Sequence, residues 1–426
     1  MPLPPFVAVG SVRPVDLARP GPMAEPRAPY LCVEAEGSPV RLALSSGEDR
    51  LTVTYDGTGC ALTVTTRGET TDHRSRRHGK PEAAVERMAL ALTGTRLSAL
   101  TREAGAWVVR GFVDLRGRID THDEAWLAAV AAEGGEPRGF GQLGLRDLRL
   151  VTHADGSAYR DGQEVLLTAT SAGPGFFDTA HTSVWSLDPA SLALRHRSDV
   201  FFRRTDRPGV YGDHASHLLR DGDRWLLATS TWGDFDHRRQ GAHVAATLAE
   251  TTADLLTGRH VLDTRPLPLP TTGLTSVGVW DPHLVHTDDG WLAAYVSATK
   301  YFRFHPVVAS GPTLEDLTLR AAAAGHRETE GVTLHRVGDG WRVLACDGAR
   351  RRYPVLDLDL IEVGVLDAPY HSNIPWPTLL DDDGGTLLIG FDGEPVGGRL
   401  VGYGSHGAVR FARAMSLRST AGQHQP

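Results

Sequence analysis

The sequence predicts an all-β chain, with an N-terminal β-sandwich followed by a five-bladed β-propeller. Two observations carry this prediction. Residues 30–115 contain short strand-like segments at roughly ten-residue spacing, which is typical of a sandwich. Residues 140–416 instead repeat a unit in which an Asp-Gly pair separates two apolar runs. Such a pair is a strong hairpin signal, because both central residues of a type I′ turn need positive φ.

The first domain is expected over residues 1–135 as an accessory β-sandwich. Residues 1–29 are rich in proline and are expected to form an extended arm. The segment "THDEAWLAAVAAEGGEPRG" at 121–139 predicts a short helix and a Gly/Pro-bearing linker, so we place the domain boundary there. Residues 417–426 are expected to form a disordered tail.

The second domain is expected over residues 140–416, where the Asp-Gly turns recur. They stand at Asp155-Gly156, Asp221-Gly222, Asp289-Gly290, Asp339-Gly340 and Asp383-Gly384. Repeats of about 40–50 residues that hold several strands are typical of a propeller or a similar array. Five units, each too thin to bury its own faces, would close radially around a central channel. The alternative is an ordinary β-sandwich with coincidental Asp-Gly turns.

Acidic residues precede these turns at a fixed distance. Nine residues before each turn glycine stand Asp147, Asp213, Asp281, Gly331 (directly after Glu330) and Pro375. The innermost strand of each propeller blade runs along the channel, so equivalent positions converge near the axis. Four of the five blades would therefore aim a carboxylate at one mouth of the channel. Like charges raise one another's pKa values, which lets a site keep one carboxyl protonated while another is ionised.

This pattern resembles the five-bladed-propeller glycoside hydrolases, the clan of arabinanases, arabinofuranosidases, β-xylosidases and invertase-like enzymes. Those families place an Asp in blade one, an Asp in a "DP" step in blade three, and a Glu, often followed by Gly, in blade four. Asp147, Asp281 in "WDPHL" and Glu330 in "ETEGV" match that order. The resemblance implies Asp147 as general base or nucleophile, Glu330 as general acid, and Asp281 as the group that orients the acid and tunes its pKa.

Three departures from the family pattern leave alternatives open. Asp213 is an additional acid in blade two and could replace Asp147 as base. Glu328 is two residues from Glu330, so a register slip could exchange them. The family usually carries its accessory sandwich after the propeller, whereas here it is expected before it.

Aromatic and histidine residues near the same strand starts are candidate substrate-binding groups. They are Trp280, Trp232, His214, His283, Tyr370, His371 and Trp376. Aromatic faces stack on the apolar faces of sugar rings, although packing between blades is an equally good interpretation for each. No cofactor is expected, apart from a calcium ion in the channel that the resemblance allows, with His371 binding it through water.

The resulting hypothesis is an enzyme that cleaves or transfers a glycosidic bond of a pentose or furanose-type sugar, with a small molecule or an oligosaccharide as substrate. One alternative is a non-hydrolytic biosynthetic enzyme, a cyclase or isomerase, on the same scaffold; another is a non-catalytic glycan-binding propeller. The net charge of −8 gives no case for nucleic acid or an acidic membrane surface as partner. The sequence has no signal peptide or apolar membrane span, and three scattered cysteines fit a reducing compartment, so a cytoplasmic location is expected.

Overall fold

The computed structural model confirms the expectation of an all-β chain. It describes residues 4–20, 27–37, 39–236, 238–239, 241–338, 340–371, 373–394, 396–398 and 407–414, so the predicted tail at 417–426 lies outside the described residues. One short α-helix, α1 (Glu124–Ala128), lies in the segment where the sequence predicts a helix. Asp123 caps it by accepting a hydrogen bond from the backbone N–H of Trp126. In the described parts of the chain, no helix has the length and apolarity needed to cross a membrane.

Among the described residues, twelve strands precede residue 143. They are β1 (Phe6–Val12), β2 (Asp16–Ala18), β3 (Tyr30–Glu36), β4 (Val40–Ser46), β5 (Asp49–Tyr55), β6 (Cys60–Thr66), β7 (Glu69–His73), β8 (Val85–Thr93), β9 (Arg96–Glu103), β10 (Ala106–Asp114), β11 (Ala131–Glu133) and β12 (Arg138–Gln142). Except for β1, they form two sheets, ordered β10-β9-β8-β3-β12-β2 and β11-β4-β5-β6-β7. Alternate residues of both sheets, among them Leu31, Leu42, Leu51, Leu62 and Leu90, belong to one buried cluster. The two sheets therefore share a single hydrophobic core.

The next strands join into one large sheet. They are β13 (Leu145–Leu150), β14 (Thr152–His153), β15 (Arg160–Asp161), β16 (Glu164–Ser171), β17 (His181–Asp188), β18 (Ala193–Arg203), β19 (Val210–Tyr211), β20 (His214–Asp221), β21 (Arg224–Ser230), β22 (Ala246–Thr251) and β23 (Gly258–Pro266). Two antiparallel meanders, β13-β16-β17-β18 and β20-β21-β22-β23, meet where β18 and β23 pair in parallel.

The remaining strands form three four-stranded sheets. They are β24 (Gly278–Thr287), β25 (Gly290–Lys300), β26 (Arg303–Gly311), β27 (Thr318–Ala322), β28 (Thr329–Val337), β29 (Gly340–Asp347), β30 (Tyr353–Leu356), β31 (Glu362–Leu366), β32 (Thr378–Asp382), β33 (Gly385–Asp392) and β34 (Ala408–Ala414). The sheets are β24-β25-β26-β27, β28-β29-β30-β31 and β32-β33-β34-β1.

We call each of the two meanders and each of the three four-stranded sheets a unit. The first strands of the five units, which we call the inner strands, are β13, β20, β24, β28 and β32. Consecutive inner strands contact each other from β13 to β20, β20 to β24 and β24 to β28, and β13 also contacts β32. Residues 278–285 at the start of β24 are all buried, because this strand packs against neighbours on both faces. The inner strands therefore bring their starts to one region of the molecule.

Strand β1 requires a correction to the expected extended arm at residues 1–29. It pairs antiparallel with β34, so the first and last described strands share one sheet. Phe6 is 5% exposed and lies in a core cluster with Leu344, Leu379 and Leu388. The apolar alternation of a single edge strand is too weak to identify its distant partner from sequence.

The pairing of β1 predicts an unequal response to truncation along that strand. Phe6→Ala should lower the free energy of unfolding by about 3 kcal/mol, because it leaves a cavity in the cluster. Val7→Ala, at a side chain that is 48% exposed, should change it by less than about 0.5 kcal/mol. Urea denaturation of both variants measures the difference. Equal, small effects would show that the segment does not pack as described.

Candidate active site

The inner strands β13, β20, β24 and β28 share one irregularity, a bulge near their start. Pairing with the following strand shifts between Arg146 and Arg149, His214 and His217, Trp280 and His283, and Glu330 and Thr333. The first residue inside each bulge has positive φ, with values of 53° at Asp147, 62° at Ala215, 57° at Asp281 and 68° at Gly331. A bulge re-aims side chains by breaking the alternation of strand faces.

The bulges direct neighbouring side chains into one cavity of about 660 Å³. The residue before the bulge lines this cavity in all four strands, and the first bulge residue does so wherever it has a side chain. The lining residues from the inner strands are Arg146, Asp147, His214, Ala215, Trp280, Asp281 and Glu330, with Trp376 just before β32. Asp147, Asp281 and Glu330, predicted as the catalytic set, therefore lie together.

Side chains from other strands bond backbone carbonyls within the bulges. Thr378 donates to the carbonyl of Leu148 (2.7 Å), and Thr168 donates to that of Ser216 (2.8 Å). Arg149 is fully buried and donates hydrogen bonds to the bulges of β28 and β24. Its Nη1 donates to the carbonyl of Val332 (2.6 Å), and its Nη2 donates to that of Asp281 (3.1 Å). Its guanidinium lies 4.5 Å from the centre of the Trp376 ring. One arginine thus links four of the sheet units.

Burial raises the pKa values of all three carboxyl groups. The pKa of Glu330 rises to about 8, because of burial and the nearby charge of Asp147. The pKa of Asp281 rises well above its usual value through burial and the charge of Glu330, while Arg149 opposes the rise. Burial also raises the pKa of Asp147, and Arg146, whose Nε lies 3.4 Å from Oδ2, partly opposes it. Asp147 is therefore the carboxyl with the nearest cation, whereas Glu330 is held neutral near pH 7.

Two hydrogen bonds orient the other two carboxyl groups. The indole N–H of Trp280 donates to Oε2 of Glu330 at 3.4 Å. The backbone N–H of Gly331 lies 3.4 Å from Oδ2 of Asp281. Since Gly331 follows Glu330 directly, the bulge of β28 couples the positions of both carboxyls.

Two buried polar atoms in the cavity wall have no hydrogen-bond partner among the described residues: Nε2 of His214 and Nε1 of Trp376. These side chains belong to residues that are 1% and 2% exposed. Nδ1 of His214 lies 3.0 Å from the carbonyl of Gly212, so Nδ1 carries the proton and Nε2 is an acceptor. Burial, with Arg146 nearby, lowers the pKa of His214 well below its usual value, so the ring is neutral. The wall thus offers one acceptor and one donor to a bound molecule.

Asp213, predicted as the reserve base, does not line the cavity. It is fully buried, pairs through both oxygens with Arg204 (Nε to Oδ2, 2.8 Å), and accepts a bond from the N–H of Gly233 at 3.0 Å. Counting back from Gly222 gave Asp213 because the position of this glycine in its hairpin differs from that of Gly290. The β20–β21 hairpin closes at the Asp221–Arg224 pair, so Gly222 lies inside the turn, whereas Gly290 begins its strand. Nine residues before Arg224, the first residue of β21, stands Ala215, the bulge residue.

The same correction applies to the last unit, where β33 begins at Gly385 and not at Gly384. Nine residues before Gly385 stands Trp376, which lines the cavity, and not Pro375.

Trp232, predicted as a substrate-binding residue, also lines the cavity. Glu328, the alternative to Glu330, is exposed and lines the cavity as well.

Three predicted binding residues are not part of the cavity lining. His283 is buried against His217, with ring centroids 3.9 Å apart and an interplanar angle of 13°. The hydroxyl of Tyr370 donates to the carbonyl of Asn373 (2.9 Å) and accepts from the thiol of Cys346 (3.2 Å). The backbone carbonyl of His371 accepts a hydrogen bond from Arg351 at 3.2 Å, and His371 itself is not part of the lining. In each case regular alternation or loop geometry turns the side chain away.

The residues around the cavity do not fit the calcium ion that the resemblance allows. Calcium takes six to eight oxygen ligands. His371 lies outside the cavity lining, and the described residues contain no cluster of three or more His, Cys, Asp or Glu side chains that could hold a metal. The positive charge beside Asp147 and Asp281 comes instead from the guanidinium of Arg149.

Sequence reasoning missed several cavity residues. Arg146 lines the cavity next to Asp147, but in a sequence an arginine beside an aspartate looks like an ordinary surface ion pair. A group of aromatic residues comes from loops and hairpin ends: Phe176, Phe177, Phe235, Tyr301, Phe302 and Phe304. No regular spacing marks such positions in the sequence.

Comparisons with known proteins give distant structural similarity only. No family model and no curated protein matches the chain. Similar solved structures include the GH43_1 enzyme from Xanthomonas citri (14% identity, 61% of this chain and 86% of that one, TM-score 0.42). A second is a family 117 glycoside hydrolase from Zobellia galactanivorans (13% identity, 66% of this chain and 90% of that one, TM-score 0.45). A third is the α-L-arabinanase of Cellvibrio cellulosa complexed with arabinohexaose (12% identity, 63% of this chain and 91% of that one, TM-score 0.38). These neighbours are glycoside hydrolases, but likeness at this level carries no argument about activity.

The geometry of β28 predicts that Gly331 cannot carry a side chain. A Cβ there would lie 2.5 Å from Cγ and Cδ1 of Trp376, at a φ of +68°. Gly331→Ala should therefore lower the free energy of unfolding by roughly 2–4 kcal/mol and change the near-ultraviolet circular dichroism of Trp376.

Gly338→Ala is the matched control, in the turn that ends the same strand. Its φ is +59° and a Cβ would meet nothing within 4 Å, so only the backbone strain of about 1 kcal/mol should appear. Equal losses in both variants would contradict the close contact between Gly331 and Trp376.

Proposed function

We propose that the sheets that follow residue 140 are the five blades of a β-propeller, preceded by a β-sandwich. The inner strands β13, β20, β24, β28 and β32 would each begin a blade, and β1 would complete the last one. Apart from β1, which belongs with the last blade, the expected domain bounds near 1–135 and 140–416 fit the hydrophobic core shared by the first two sheets. Closing the last blade with the first strand of the chain would hold the ring shut.

The proposed reaction is hydrolysis or transfer of a glycosidic bond, with a pentose or furanose-type sugar as the expected substrate. The observation that carries this proposal is the meeting of three carboxyl groups, those of Asp147 and Asp281 buried and that of Glu330 half-buried, with Glu330 protonated near neutral pH. Glycoside cleavage needs an acid to protonate the leaving oxygen and a carboxylate on the other side of the anomeric carbon.

In this mechanism Glu330 donates its proton to the glycosidic oxygen as the bond to the anomeric carbon breaks. Asp147, the carboxyl nearest a cation, is ionised and either removes a proton from the attacking water or attacks the anomeric carbon itself. In the second case water then releases the sugar, with Glu330 as base. Asp281 accepts a hydrogen bond from the N–H of Gly331, and the charge of Glu330 raises the pKa of Asp281, so these two carboxyl groups do not ionise independently. His214 Nε2 would accept a bond from a sugar hydroxyl, and the indole N–H of Trp376 would donate one.

A second function is favoured by the aromatic lining of the cavity. A protonated carboxyl beside aromatic faces could also start an isomerisation or cyclisation, because ring faces stabilise a passing cation. In that reaction no water enters the product. Mass spectrometry of products formed in ¹⁸O-labelled water distinguishes the two, since glycoside hydrolysis places the label on the released sugar.

The proposed function predicts that Glu330→Gln abolishes most turnover. On a panel of arabinofuranosides, xylosides, galactosides and fructosides with alkyl leaving groups, kcat/KM should fall by about 10²-fold or more. Glycosides of dinitrophenol should lose much less, because this leaving group needs no proton. Glu328→Gln provides the comparison; a greater loss there would transfer the role of acid to Glu328. No turnover of any member by the folded wild type would contradict the proposal.

The pKa directions predict a bell-shaped dependence of kcat/KM on pH. Activity should fall as pH rises through about 8, because Glu330 then loses its proton. As pH is lowered, kcat/KM should fall when Asp147 takes up a proton. Because burial raises the pKa of Asp147, this fall should occur at a higher pH than for an ordinary aspartate. An activity that stays constant from pH 6 to pH 10, measured with a stable folded protein, would rule out Glu330 as the acid.

A further inference from the structure

The cavity is unusually rich in aromatic residues for a sugar site. Eight line it within residues 176–304: Phe176, Phe177, Trp232, Phe235, Trp280, Tyr301, Phe302 and Phe304, which we call the aromatic wall. The exposed polar lining is concentrated elsewhere, at Glu328, Arg351 and Asn373. The two parts of the cavity therefore suit two different kinds of chemical group.

The aromatic wall is a packed, continuous surface. Ring centroids are 4.5 Å apart between Phe177 and Trp232, 5.3 Å between Trp232 and Trp280, and 4.8 Å between Phe235 and Tyr301. The hydroxyl of Tyr301 donates to the carbonyl of Ala242 at 2.7 Å, so it is already occupied within the protein. Such a preformed apolar surface is typical of sites for drug-sized apolar ligands.

The aromatic wall adjoins Glu330, the proposed general acid. Trp280 belongs to it and donates its indole N–H to Glu330. In glycoside cleavage the group that departs is the one next to the acid, because its oxygen receives the proton. The wall therefore adjoins the position of the leaving group, and its occupant is the part of the substrate beyond the glycosidic oxygen.

Phe302 adds an independent observation. It is at the end of the two-residue turn between the paired residues Lys300 and Arg303, it is 68% exposed, and its φ is +69°. Glycine or asparagine would occupy this position with less strain, and a bulky residue at positive φ is uncommon. Neither the exposure nor the backbone conformation stabilises the free protein. A ligand that covers the ring would bury its exposed apolar surface and so account for a phenylalanine at this position.

We propose that the leaving group is an apolar, ring-bearing aglycone and not a second sugar. One aromatic face can stack on a sugar, but a second sugar along the whole wall would leave most of its hydroxyls without partners, which costs free energy for each buried group. An aglycone with fused rings would instead bury apolar surface against Phe302, Phe304 and Trp280. This inference rests on the proposed glycosidase function.

The test compares 2-naphthylmethyl and methyl glycosides of whichever sugar in the panel is turned over, together with the corresponding disaccharide. Both alcohols have similar acidity, so a difference reports binding of the ring system and not leaving-group chemistry. KM should be lower for the naphthylmethyl glycoside by about tenfold or more. Phe302→Gly should remove a large part of that preference while its Tm stays unchanged or rises, because glycine relieves the strained turn.

Phe112→Ala is the matched control. Phe112 is 42% exposed on β10 and is not part of the cavity lining, so its replacement should leave the ratio of the two KM values unchanged. Equal KM values for methyl and naphthylmethyl glycosides, or a preference for the disaccharide, would overturn the inference while the glycosidase function stands.

Calorimetric titration with 2-naphthylmethanol gives a readout that needs no sugar. Binding that Phe302→Gly weakens and Phe112→Ala does not would support the apolar occupant. If this binding occurs but no glycoside of the panel is cleaved, the proposed function fails and the apolar ligand remains. Absence of binding at millimolar concentration would overturn the inference.

Discussion

The site depends on side-chain hydrogen bonds from other strands that satisfy the bulged starts of the inner strands. Each bulge frees a backbone carbonyl, and a buried carbonyl without a partner costs about 1–3 kcal/mol. Thr378 bonds the carbonyl of Leu148, Thr168 that of Ser216, and Arg149 those of Asp281 and Val332. Because each donor belongs to another strand of the array, no inner strand can hold its part of the site alone.

The same bonds set the electrostatics of the cavity. Arg149 lies fully buried beside the carboxyls, and its charge opposes the rise in the pKa of Asp281. Arg146 acts on Asp147 in the same direction. Glu330 accepts the indole N–H of Trp280, and burial with the nearby charge of Asp147 raises its pKa to about 8, so it is protonated near neutral pH. The environments separate one neutral carboxyl from one beside a cation, as paired acid and base chemistry requires.

The sequence was sufficient to predict the all-β class and the positions of Asp147, Asp281 and Glu330 near one another. Hairpin turns gave the repeat, and counting from them located the strand starts. The count failed at Asp213, because an Asp-Gly pair can lie inside a turn or begin the next strand, and the residue types do not distinguish the two. Side chains outside regular strands, such as Phe302 and Tyr370, depend on loop conformation, which has no comparable periodicity.

The proposed chemistry requires that the protein holds Glu330 protonated near neutral pH. Infrared difference spectroscopy of the wild type against Glu330→Gln measures this directly, through the carbonyl stretch of a protonated carboxyl as pH is raised. The structure predicts a band that is present at pH 7, absent from the variant, and lost as pH rises through about 8. Loss of that band near pH 4.5, the usual pKa of a glutamate, would show that the site does not keep Glu330 protonated at neutral pH.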